Sequence, residues 1–336
     1  MKKKLFPIVG ISCGDPNGIG IEIILKSFKD PRILEFFIPV IFANFKLLSD
    51  QAVFFNIDIK FNKIKFGEPP KQGQINVISS WENEFITQFG TPTKLSGEIS
   101  YKSLELATKS IIENKIEVLV TAPINKKNIQ NQKFDFPGHT DYLSSKFNGT
   151  SLMFMISERL KIGLLTDHIP INQVVSKINK EKIKEKISVM EKSLQIDFGI
   201  VKPKIAVLSI NPHVGDGGII GSEDEDILIP TLIDISKSGT LISGPFSSDS
   251  FFGSGAYNNY DSVLAIYHDQ GLIPFKTISF GEGVNFTAGL NKIRTSPDHG
   301  TAFDIAGNNI ADPTSFKNAI FSAIDIYRNR ISHKKD

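Results

Sequence analysis

The 336-residue chain has one cysteine, Cys13, so it forms no intrachain disulfide and reads as the product of a reducing compartment. It has no surplus of charge: 38 Lys and Arg against 36 Asp and Glu leave a formal net charge of +2. That balance gives neither the basic footprint of a nucleic-acid binder nor a surface drawn to anionic lipid. No apolar run is long enough to span a bilayer. Internal repeats, low-complexity tracts and obvious linkers are absent too, which excludes solenoids and largely disordered chains. No GxGxxG fingerprint, P-loop or HExxH pattern occurs. The start Met1-Lys2-Lys3-Lys4 imitates a secretory signal, but the apolar stretch that follows is short and contains Pro7 and Gly10. It runs into Gly14-Asp15-Pro16-Asn17-Gly18 without a small-residue cleavage pattern, so a first β-strand over residues 5–13 and a cytoplasmic location are expected.

What is present is an alternation of strand-like and helical runs, the pattern of a mainly parallel α/β sheet covered by helices. Strands are predicted at 38–45, 75–80 and 117–120, and helices at 20–29, 97–114, 224–236 and 315–331. The stretch 54–66 is ambiguous. The Lys-rich segment 178–194 carries Ile183, Ile187, Met190 and Leu194 at spacings of 4, 3 and 4. It is therefore an amphipathic helix with a solvated lysine face. His333-Lys334-Lys335 reads as a frayed end. Periodicity does not separate two sequential domains from two lobes in which the chain leaves and re-enters one of them.

Three histidines each follow a short apolar run: His168 after Ile162–Leu165, His213 after Ile205–Leu208, and His268 after Val263–Ile266. Such runs read as buried parallel strands, whose carboxyl ends form the rim where α/β sheets bind ligands. Taken singly, each histidine reads as a hydrogen-bonded structural residue. Together they suit a divalent metal with a position left open for substrate, with Asp167, Asp216, Asp249 and Asp269 near enough in sequence to orient the rings. His139 and Thr140 follow Pro137-Gly138 at a turn before a helix, where backbone amides can hold an anion or where Thr140 and Asp141 simply cap. The loop Thr121-Ala122-Pro123-Ile124-Asn125-Lys126 is rich in groups for polar ligands. Lys276, Asn285 and Arg294 would suit a carboxylate or phosphate if they converge, though individually each has the character of a surface residue.

These segments, with Gly14–Gly20, Asn211-Pro212-His213-Val214-Gly215-Asp216-Gly217-Gly218 and Tyr267-His268-Asp269-Gln270-Gly271, occur in one order, and the chain closely resembles the 4-hydroxythreonine-4-phosphate dehydrogenase family of pyridoxal phosphate biosynthesis. The tail His299-Gly300-Thr301-Ala302-Phe303-Asp304-Ile305-Ala306-Gly307 is similar to the NAD-contacting loop of isopropylmalate and isocitrate dehydrogenases. The resemblance implies two α/β/α lobes with an active-site cleft between them, in the isopropylmalate dehydrogenase manner. Residues 1–125 with 290–336 would form the lobe carrying the NAD loop, and 126–289 the lobe with metal and dimer contacts. It implies a homodimer whose metal site draws ligands from both subunits. By motif, His168, His213 and His268 would hold Zn²⁺, Co²⁺ or Mg²⁺. His139, Thr140, Lys276, Asn285 and Arg294 would hold substrate. Gly300, Thr301 and Asp304 would contact NAD or NADP, and Lys276 and Asp249 are candidates for proton transfer. The implied reaction is NAD-dependent oxidation of 4-phosphooxy-L-threonine at C3 followed by decarboxylation. A dehydrogenase of threonate or erythronate phosphate, a phosphate acyltransferase and a metal-dependent hydrolase are the alternatives. The chain departs from the family in having Asn17 where Ala is frequent and Ile21 where Pro is frequent.

Overall fold

A computed structural model describes residues 6–334; Leu5 of the expected first strand and Lys335 of the expected frayed end lie outside the described residues. Its strands are β1 (Ile8–Ser12), β2 (Ile38–Phe42), β3 (Phe61–Ile64), β4 (Ile75–Ile78), β5 (Val118–Thr121), β6 (Gly149–Ile156), β7 (Lys161–Leu164), β8 (Lys204–Leu208), β9 (Leu241–Phe246), β10 (Ser262–Ala265), β11 (Val284–Leu290) and β12 (Ile293–Pro297). The α-helices are α1 (Gly20–Ser27), α2 (Phe45–Phe54), α3 (Lys94–Ile112), α4 (His139–Lys146), α5 (Lys180–Ile196), α6 (Ile229–Lys237), α7 (Ser248–Gly253), α8 (His268–Ile278) and α9 (Thr314–His333). None is long and apolar enough to cross a membrane.

The chain divides into two compact units. The first comprises the residues up to Asn148 and Asn291–Arg328, the second Gly149–Leu290 and the residues from Asn329 on. In the first unit six strands run in the order β3-β4-β2-β1-β5-β12, each parallel to its neighbours. The central strand β1 is buried at every position, as expected for a parallel strand covered on both faces. Helix α1 is almost entirely buried and includes a carboxylate, Glu22. The ambiguous stretch 54–66 resolves into the end of α2, a turn and β3.

In the second unit the order is β11-β6-β7-β10-β8-β9, antiparallel from β11 through β7 and parallel from β7 to β9. The three runs expected to be buried parallel strands are β7, β10 and β8, side by side. Their apolar residues form one core with Leu272 and Phe275 of α8. Each such side chain fully buried is worth roughly 1.5–3 kcal/mol. Helix α5 turns Ile183, Ile187, Met190 and Leu194 inward, as their spacing predicts. The predicted helix 224–236 begins as a wide π turn, Asp224–Leu228, before α6.

Candidate functional site

In the first unit the polar site is built around Arg294. This residue is the second of β12 and is 2% exposed, so it is no surface cation. Its Nε and Nη2 donate to Thr121 Oγ1, at the end of β5, at 3.0 and 2.7 Å. Burial pulls the guanidinium down to about 9. His139 is the first residue of α4, after a fully extended Gly138. Burial, then the charges of Arg294 and Lys126, hold its imidazole well below the ordinary histidine value, so the ring is neutral at pH 7. Three buried atoms here have no hydrogen-bond partner: His139 Nε2, Asp141 Oδ2 and Asn128 Nδ2. Thr140 is buried beside them. A buried guanidinium and the unpartnered imidazole nitrogen of His139 at a helix start suit an anion, whereas the Asp141 oxygen, an acceptor, takes no part in holding one. Thr121 and Lys126 were not singled out in the sequence, although the loop that carries them was.

The segment 299–307 belongs to the same unit. His299 Nδ1 is 3.0 Å from Gly300 O, and its buried Nε2 has no partner. Gly300 and Asp304 are exposed, and Thr301 is half-buried. The Thr301 carbonyl accepts from Ile19 N–H at 3.0 Å.

In the second unit all three sequence-singled histidines follow the carboxyl ends of the adjacent strands β7, β10 and β8. His168 and His268 stand together, ring centroids 5.6 Å apart, beside a hollow of about 290 Å³ lined also by Asp167, Tyr267 and Asp269. His268 Nδ1 lies 2.6 Å from Asp269 Oδ1. A carboxylate there fixes the proton on Nδ1 and leaves Nε2 as the ligand atom. Gln270 ties the rim together: its Oε1 accepts from Ile266 N–H at 2.6 Å, and its Nε2 donates to Ser209 O and Ser248 Oγ at 2.8 Å.

His213 is presented differently. It opens a left-handed turn in which His213, Val214, Gly215 and Asp216 have φ of 52°, 58°, 79° and 45°. Each non-glycine residue so placed costs about 1–2 kcal/mol. Buried Asp224 holds the entry to the turn, its two oxygens accepting from Ile210 and Asn211 N–H at 2.8 Å. Asn211 Nδ2 donates to Glu223 Oε2 at 2.7 Å. Asp249, at the start of α7, is held below the usual carboxylate range by the Ser247 hydroxyl and the Ser250 amide, with a smaller effect from the charge of His213. A carboxylate held low serves better to orient a cation than to accept a proton.

Among the described residues no three His, Cys, Asp or Glu side chains are grouped as a metal site. The donor chemistry fits a divalent cation, but one chain pairs only two of the three imidazoles. Lys276 is half-buried in the last turn of α8, and Asn285 lies on β11 with a buried Oδ1 lacking a partner.

Residues 35–323 match the family model described as "Pyridoxal phosphate biosynthetic protein PdxA". The chain is 42% identical to a 4-hydroxythreonine-4-phosphate dehydrogenase of Bacteroides thetaiotaomicron, over 97% of this chain and 90% of that protein. It is 35% identical to a protein of Oceanobacillus iheyensis named "Putative D-threonate 4-phosphate dehydrogenase", over 97% of this chain and 99% of that one. Among solved structures, the 4-hydroxythreonine-4-phosphate dehydrogenase of Klebsiella pneumoniae superposes with a TM-score of 0.80 at 31% identity, covering 97% of this chain and 99% of that one.

Proposed function

The chain belongs to the pyridoxal phosphate biosynthetic protein PdxA family and is a dehydrogenase; from that premise we propose that it oxidises 4-phosphooxy-L-threonine at the C3 hydroxyl. The carbon loses a hydride and the oxygen a proton, and the resulting β-keto acid loses CO₂ to give 3-amino-2-oxopropyl phosphate. NAD⁺, or NADP⁺ in its place, would take the hydride. The similarity to the Bacteroides thetaiotaomicron enzyme along 97% of the chain carries this reading.

On this reading Arg294, with Thr121 fixing its guanidinium, holds an anionic group of the substrate. His139 is kept neutral and donates or accepts a hydrogen bond without adding charge. Thr140, Lys276 and Asn285 complete the substrate contacts, and Gly300, Thr301 and Asp304 meet the dinucleotide. Such contacts act by positioning C3 against the hydride acceptor. His168, His213 and His268 would hold a divalent metal (Zn²⁺, Co²⁺ or Mg²⁺), which would supply Lewis-acid positive charge for the oxidation and the decarboxylation. Proton transfer falls to Lys276 rather than Asp249, whose carboxyl is held low.

A homodimer would bring the third imidazole to the His168–His268 pair. Support comes from the second unit, where Ile219 (84%), Ile273 (65%) and Phe280 (85%) are exposed and a largely apolar hollow of about 500 Å³ opens beside Asp249, Tyr267 and Ile273. The single buried cysteine and the absence of a membrane-crossing helix among the described residues favour a cytoplasmic enzyme.

A second reading, oxidation of D-threonate 4-phosphate, is favoured by the Oceanobacillus iheyensis relative. The two differ in the group at C2, an ammonium or a hydroxyl. Initial rates of NADH formation from the two substrates, with metal-stripped and metal-restored protein, separate them. Metal-dependent turnover of 4-phosphooxy-L-threonine supports the first reading. Turnover of the threonate alone transfers the assignment, and NADH formation from neither contradicts both.

A further inference from the structure

The turn Gly14–Gly20 has a strand before it and a helix after it, but not the spacing of a nucleotide-binding loop. Its contacts give it another task. Ile19 N–H donates to Thr301 O at 3.0 Å, and a Cβ built on Gly18 would lie 2.7 Å from that same carbonyl oxygen. Asn17, fully buried, accepts from Gln88 N–H through Oδ1 and donates to Thr91 O through Nδ2, both at 2.8 Å. Its carbonyl accepts from Gly90 N–H at 2.9 Å. The segment so held meets the same loop, since a Cβ on Gly90 would lie 2.9 Å from Phe303 O and one on Gly307 would lie 2.8 Å from the Phe89 ring. The loop 299–307 therefore packs against the turn and against residues 88–91 with no room for an added methyl at Gly18, Gly90 or Gly307.

The chain just past the loop, at 309–311, is held by charge. Lys26 Nζ donates to Asn309 O at 3.0 Å, to Ala311 O at 2.8 Å and to Glu22 Oε1 at 2.7 Å. Glu22, fully buried in α1, also accepts from Ala311 N–H at 2.9 Å. Lys26 thus satisfies two carbonyls just past the loop and neutralises a carboxylate that is shut away from water. Removing it would leave the Ala311 carbonyl without this donor and the Glu22 carboxylate with only the Ala311 N–H, a larger loss than one surface ion pair.

We propose that Lys26 and Glu22, with the Gly18 contact, form a two-point clamp by which α1 sets the conformation of the loop 299–307, making Lys26 a positioning residue for dinucleotide affinity. The inference rests on the reading that this loop contacts NAD. Lys26 touches neither cofactor nor substrate; it acts through the loop backbone. An affinity effect confined to the dinucleotide follows, because the anion pocket around Arg294 shares none of these hydrogen bonds.

The test is NADH binding by fluorescence titration, with KM for NAD⁺, KM for the phosphorylated substrate and kcat, in Lys26→Met and Gly18→Ala. Both variants should weaken NADH binding and raise KM for NAD⁺ about tenfold. KM for the phosphorylated substrate and kcat should stay within about twofold. Lys26→Arg, which keeps charge and several donors, should recover part of the loss. Equal losses in all parameters, or unchanged NADH affinity in a folded Lys26→Met, would overturn the clamp. Should Lys26→Met fail to fold, Gly18→Ala decides by the same criteria. Wild-type protein that binds NADH without protecting the backbone amides of 299–307 from hydrogen exchange would overturn the loop reading instead.

Discussion

In the first unit the charged group is sunk and its surroundings are already arranged. Arg294 is 2% exposed, fixed by Thr121 on the neighbouring strand, with the unpartnered Nε2 of His139 near enough to feel its charge. In the second unit the chemistry stands at the surface. His168 and His213 are exposed, one on a loop and the other on a left-handed turn, and only one pair of imidazoles is brought together within a chain. Burying a guanidinium is costly, so its affinity for an anion is largely built in beforehand. Exposed imidazoles cost little, and their affinity depends on what completes the set. The first arrangement puts binding energy into the fold, whereas the second, on the proposed reading, would leave it to a metal and a partner subunit.

Substitutions should therefore separate along this line. The largest effect is expected at His213→Ala, which should abolish metal-supported turnover while circular dichroism and Tm show an intact fold. His213→Gly should be equally inactive yet about 1 kcal/mol more stable than the alanine variant, since glycine accepts the left-handed conformation. Chemical denaturation measures that difference.

Arg294→Met should lower kcat/KM for the phosphorylated substrate by about two to three orders of magnitude, the cost of losing a buried charged contact. Its Tm should hold or rise, because an apolar side chain of similar length removes the burial cost of the guanidinium. A fall in Tm as large as the fall in activity would make Arg294 a structural residue instead. Asn285→Ala should be milder, raising KM for substrate about tenfold and leaving metal affinity unchanged.

The smallest effect concerns pH. His139 is held below its ordinary value of 6.5, so below that pH the unfolded chain takes up a proton that the folded one refuses. Stability should fall as pH drops below 6.5, with a slope of at most about 1.4 kcal/mol per pH unit from this residue. His139→Gln should flatten that slope in urea unfolding measured at successive pH values. An unchanged slope would mean that the folded ring titrates like a free histidine.

Part of this contrast was legible in the sequence and part was hidden. The strands β7, β8 and β10 show as apolar runs because parallel strands buried on both faces need apolar side chains throughout. The histidines after them were legible for the same reason. Helix α5 shows its buried face in the spacing of four residues. Strands β11 and β12 do not announce themselves: VNFTAGL contains Asn285 and a positive-φ glycine at a register shift, and IRTSP is buried although three of its five residues are polar. Arg294 therefore had the character of a surface cation, and only the pairing of β12 with β5 shows it in the interior. The left-handed turn at His213 was equally hidden, because nothing local in Asn-Pro-His-Val favours it. The Asp224 carboxylate that holds its entry lies eleven residues away in sequence (224 − 213).

The central claim is that anion affinity belongs to the first unit and metal affinity to the second. Calorimetric titration of metal-free protein with Zn²⁺ and, separately, with inorganic phosphate tests it in wild type, Arg294→Met and His213→Ala. The account predicts a crossed result, with Arg294→Met losing phosphate binding but keeping Zn²⁺ and His213→Ala losing Zn²⁺ but keeping phosphate. Loss of both ligands in either folded variant, or of neither, would contradict it.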